Sequence, residues 1–337
     1  MAPRRIRGLS SRTPPRQCPW MGGRRWSFVS AGLGASAWLA TPWLPMGSPP
    51  SFGSIEHVFV FLPLVAMPLA LVLLSRLLEQ QGCWAQRVQP VAAAMVLASF
   101  FVPKGPLAGG LTAGWLVMAI TVALGGVRHV RRENVSVLAA QVFLVVGAVW
   151  LLLSRLGVGP RSFPPLTVLL AAVHFHFSGF ALQVLIAATG RSLQGSAARL
   201  GALHLVAIGA IAGILLIAAG SALPSGALKL AGVTAMVLST LALAAISTGV
   251  AFESGSPMAR GLLLVSASSI AVAMLVAGVY GVGEVSGNGW IGVARMVKVH
   301  GLLNALGFTF CGLSAHLRML SGTKELSPAR RVEALQP

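Results

Sequence analysis

Ala171-Ala-Val-His-Phe-His-Phe-Ser-Gly-Phe180 places two histidines, two residues apart, inside an apolar run from Phe163 to Ala188. At 1.5 Å per residue a helix of that length crosses the ~30 Å hydrocarbon layer of a bilayer. Ionisable groups at such depth are costly, so the stretch that marks a membrane span is also where function is to be sought. Near the other end of the chain a second apolar run carries Lys298-Val-His300-Gly-Leu-Leu-Asn304-Ala-Leu-Gly-Phe308.

The remainder of the chain repeats the apolar pattern. Of 337 residues, 55% are hydrophobic and 9% charged, which excludes an ordinary soluble domain. The expected fold class is all-α: a polytopic transmembrane bundle of about ten helices. The spans fall at Ser27–Met46, Ser54–Arg76, 88–105, 110–127, 135–154, 163–188, 200–222, 226–248, 261–282 and 296–317. A basic, unstructured segment (1–26) is expected before them and a short tail (321–337) after them, with the transmembrane domain covering 27–320. A signal peptide competes for the N-terminal reading, but Pro42 and Pro45 interrupt the run that follows and no clear cleavage site is present. Pro63 and Pro68 lie inside the second span, where they free carbonyls and kink the rod.

Charge asymmetry orients the bundle. Lys and Arg number 25 against 7 acids, all of them Glu. With ten spans and the N-terminus inside, nineteen of the cations fall on the inner side and six outside: Lys104, Arg155, Arg161, Lys229, Arg295 and Lys298. Positive-inside topology accounts for this better than nucleic-acid binding, and it places both termini of a multi-pass inner-membrane protein in the cytoplasm. Cys18, Cys83 and Cys311 are scattered, giving no disulfide framework and no Cys-based zinc site.

The expected site is a pocket in the outer half of the membrane built from Glu56, His57, His174, His176, His300 and Asn304. Asn304 lies four residues beyond His300 on one helical face. In a regular helix His174 and His176 point about 200° apart, so both serve one metal only if the backbone is distorted. Each residue also has a plain reading. His174 and His176 would hydrogen-bond neighbouring helices, and Glu56 would sit at a helix N-terminus, where a carboxylate is favourable. His129, His204 and His316 fit loop or helix-end positions.

The motifs His174-Phe-His176-Phe-Ser-Gly-Phe180 and His300-Gly-Leu-Leu-Asn304-Ala-Leu-Gly-Phe308 resemble those of the YndJ-like integral membrane proteins of bacteria, with the likeness running from about residue 27 to 320. The resemblance implies the architecture and the choice of residues, not a reaction. On chemical grounds the first expectation is a membrane enzyme. His and Glu side chains would do acid/base work on an apolar lipid-, isoprenoid- or polyketide-like substrate by isomerisation, cyclisation or epoxide opening, with Glu56 or Glu284 as the acid. No cofactor is expected, since phosphate-loop and dinucleotide motifs are absent. A single transition metal held by His57, His174, His176 and His300 is the lesser variant. The alternative class is a proton-coupled transporter with the same histidines as a relay. The expected partners are the lipid bilayer and the substrate, and no nucleic acid.

Overall fold

The computed structural model describes residues 22–43, 53–78, 83–127, 135–160, 163–193 and 195–322, and these form ten helical rods with no strand among them. They are α1 (Gly22–Ala40), α2 (Ser54–Leu77), α3 (Cys83–Ser99), α4 (Pro106–Val127), α5 (Val135–Leu156), α6 (Pro165–Ser192), α7 (Ala197–Ala222), α8 (Gly226–Glu253), α9 (Pro257–Ser286) and α10 (Val293–Leu320). Eight are long and apolar enough to cross a membrane. The exceptions are α1, whose first turn holds Arg24 and Arg25, and α3, only 17 residues long and carrying Gln86, Gln89 and Pro90. The helix α1 begins at Gly22 and ends at Ala40, earlier at both ends than the expected span Ser27–Met46. Residues 1–21, 44–52 and 323–337, and His129, lie outside the described residues.

The rod at the centre is α2, with 94% of its apolar window buried, followed by α6 with 72%. Around them, α3 packs on α4, α4 on α5, α5 on α6, and α7, α8 and α9 form a consecutive series that ends against α10. The outward faces are apolar: Leu205, Leu238 and Val117 are each more than half exposed, as lipid contact allows. Small residues set the close approaches. A Cβ at Gly147 of α5 would come within 2.6 Å of the His176 ring, and one at Gly179 of α6 within 2.6 Å of Phe143 Cβ, so α5 and α6 interlock through the two glycines.

Three rods depart from α-helical winding, and they are the three that carry the sequence motifs. Wider, π-type turns occupy Leu62–Ala66 in α2, Phe175–Ala181 in α6, and Val297–Gly301 and Leu303–Phe310 in α10. Prolines explain the first. In a π turn the carbonyl of residue i meets the N–H of i+5, as Leu62 O meets Met67 N–H. The same register would pair Pro63 O with residue 68, but Pro68 has no N–H to give. Gln89 Nε2 of α3 donates to Pro63 O instead, at 2.5 Å. In α10, Ser266 Oγ of α9 donates to Phe308 O at 2.9 Å. The wide turns of α2 and α6 both pack on the Leu303–Phe310 stretch.

Candidate functional site

Each predicted residue has a definite place. His176 is fully buried. Its Nδ1 lies 2.8 Å from Ala172 O, and because a carbonyl only accepts, Nδ1 carries the proton. Nε2 then accepts from Trp115 Nε1–H of α4 at 3.0 Å. Phe59 meets the ring edge-on at 5.3 Å. Both nitrogens are occupied, and His176 joins α4 to α6.

His57 turns towards α1. Its ring stacks on Trp38 with centroids 4.4 Å apart, and Trp38 Nε1 donates to His57 O at 2.8 Å. Thr41 Oγ1 donates to Trp38 O at 2.7 Å and stands 2.8 Å from His57 Nδ1, so the hydroxyl oxygen accepts from Nδ1–H. Glu56 closes the start of α2: its Oε2 accepts from Gly53 N–H at 2.8 Å, the reaching-back half of a capping box. Glu284, the other expected acid, is ion-paired with Lys229 Nζ at 2.8 Å across the ends of α8 and α9.

His300 and Asn304 form a compact unit in the wide turns of α10. His300 Nδ1–H donates to Ala273 O of α9 at 2.9 Å, leaving Nε2 to accept from Asn304 Nδ2 at 3.0 Å. The same amide nitrogen donates to His300 O at 2.9 Å. His174 stands on α6, immediately before the wide turn that packs on the Leu303–Phe310 stretch of α10. Its Nε2 is buried and makes no hydrogen bond. A buried ring nitrogen with unused hydrogen-bonding capacity costs roughly 1–3 kcal/mol unless something else occupies it.

The fold thus brings His300 and Asn304 together, packs the wide turn that follows His174 on the same part of α10, and gives His57, His176 and Glu56 other neighbours. Among the described residues no three His, Cys, Asp or Glu side chains stand close enough to hold one metal, so the four-histidine ligand set is not assembled.

Arg155 is a residue that sequence reasoning misplaced. Expected as a free outer-loop cation, it is 2% exposed, and its Nη2 donates to Ser99 O at 2.7 Å and Val102 O at 3.0 Å. Ser99 O ends α3 and Val102 O lies in the turn that follows, so Arg155 caps that helix from α5, with its guanidinium 4.6 Å from the Phe100 ring centroid. Trp115 was also missed, since nothing in its own segment marks it as the partner of His176.

Together these features define a multi-pass helical membrane protein with histidines on irregular central helices. The sequence profile of the YndJ-like protein family matches residues 57–308, and the chain belongs to that family. It is also 28% identical over 152 residues to the uncharacterized membrane protein YndJ of Bacillus subtilis (strain 168), a match covering 39% of this chain and 28% of that relative. The chain therefore spans well under two thirds of the relative's length. No solved structure matches.

Proposed function

We propose that the protein is an integral membrane enzyme that moves a proton on an apolar substrate at the His174–His300 pair. The observation that supports this reading most is the unpartnered, buried Nε2 of His174, at the start of the wide turn of α6 that packs on the wide turn of α10. Wide turns of this kind gather at functional sites because they re-aim side chains and leave carbonyls to outside donors. In this reading His174 Nε2 takes a proton from one carbon of the substrate and returns it to another carbon. Such an isomerisation consumes no co-reactant. Asn304 and Ala273 O hold the His300 ring in one tautomer and one orientation.

The wide turns in three central helices also favour a second reading, a proton-coupled transporter using the same pair. Deuterium labelling separates the two. Purified protein is incubated in D₂O with an apolar membrane extract, and the extract is examined by mass spectrometry. The enzyme reading expects deuterium in a C–H position of one component with wild type and none with His174→Gln. Absence of labelling, together with proton uptake into proteoliposomes on addition of the extract, would favour transport.

A further inference from the structure

On the face that charge asymmetry assigns to the cytoplasm, a cleft of about 700 Å³ opens between the inner ends of α2, α6 and α10 and the α8–α9 turn. Its walls are of two kinds. Leu73, Leu77, Ala188 and Leu320 supply apolar surface, while Arg191 of α6 and Arg318 of α10 bring cations from two separate helices. Glu253 is the acid of the lining, and it is already ion-paired with Arg199. The turn itself is closed on its own groups: Arg260 Nη2 donates to Ser254 O at 3.2 Å, and Ser256 Oγ accepts from Ala259 N–H at 3.3 Å.

The two lining arginines are less fully used. Arg191 Nη1 donates to Arg76 O at 2.7 Å, and Arg318 Nη2 reaches only the sulfur of Met258, a weak acceptor. Most of the five N–H donors on each guanidinium have no partner among the described residues. The positive end of the thirty-residue helix α9 adds to the same field at Ser256.

We propose that this cleft holds the headgroup of an anionic phospholipid of the inner leaflet, with Arg191 and Arg318 on the phosphate and the leucines against the first part of the acyl chains. Size supports a whole headgroup, since sites for organic ligands run to roughly 300–1,000 Å³ and a bare phosphate would leave most of the space empty. The apolar wall disfavours a soluble phosphate ester. Basic pockets between membrane helices on the cytoplasmic side suit such headgroups, and guanidinium forks match phosphate oxygens in pairs. Orientation alone requires inner-loop cations, not cations that converge on a cleft. The proposal does not depend on the His174–His300 reading.

Native mass spectrometry of the full chain in detergent tests it, with phosphatidylglycerol, phosphatidylcholine and glycerol 3-phosphate as probes. Wild type is expected to hold one phosphatidylglycerol at least tenfold more tightly than phosphatidylcholine, and the double variant Arg191→Gln/Arg318→Gln to lose that preference. The pair Arg191→Lys/Arg318→Lys keeps charge and topology, so it reports even where the Gln pair fails to insert, and at least threefold weaker binding is expected from loss of the planar fork. Equal retention of phosphatidylcholine, or unchanged preference in the Lys pair, would overturn the proposal. Glycerol 3-phosphate binding as tightly as phosphatidylglycerol would assign the phosphate chemistry to a soluble ester and overturn the lipid assignment.

Discussion

His174 and His176 sit two residues apart and have opposite fates. The ring of His176 satisfies both nitrogens with Ala172 O and Trp115, whereas Nε2 of His174 satisfies nothing. Trp115→Phe is therefore expected to lower the melting temperature of the detergent-solubilised protein. Interhelical hydrogen bonds in membranes average ~0.6 kcal/mol, and here an acceptor would also be stranded in the core. His174→Gln is expected to leave the melting temperature within a degree or two of wild type, because it removes no bond. A large fall in His174→Gln and none in Trp115→Phe would reverse these assignments. The sequence marks both histidines as intramembrane ionisable groups, but the partner that separates them is on α4, and no local pattern points to it. Glu56 was more legible, because a carboxylate three residues after Gly53 already has the spacing of a helix cap.

At the scale of elements, apolar run length was enough to find the rods, whereas their winding was not visible. Whether a turn is α or π is decided by which carbonyls find donors outside the backbone ladder: Gln89 and Ser266 reach across from other helices, and the His176 ring reaches back to Ala172 O on its own. Hydropathy has no access to that information. Pro63 and Pro68 gave a partial signal, since each removes an N–H that the helix needs. Gln89→Leu is expected to destabilise the protein by about 1–2 kcal/mol, because it strands Pro63 O in the core. Adding Pro68→Ala restores an N–H in that register and is expected to recover part of the loss. Thermal unfolding of the two singles and the double measures the coupling, and simple additivity would rule out this origin of the wide turn. Arg155 teaches the same lesson from the opposite direction: its charge predicted a loop, but the orphan carbonyls at the end of α3 bury it.

The described residues form ten rods around α2, and the orientation of the bundle rests on the excess of inner cations. In a chain with Cys18, Cys83 and Cys311 replaced by Ser, Asn288→Cys is expected to react with an impermeant maleimide from outside, and Arg128→Cys only after the membrane is opened. The reverse pattern would invert the assignment of the lipid cleft to the cytoplasmic face. The fold also joins α6 to α10, which the sequence holds far apart, and the functional reading stands on that junction. Residues acting as one unit are strongly non-additive. The most direct test measures deuterium transfer to the substrate by wild type, His174→Gln, His300→Gln and the double variant. One shared site predicts that each single loses at least 100-fold and that the double loses little more than the worse single. Losses that multiply, or full transfer in both singles, would contradict it.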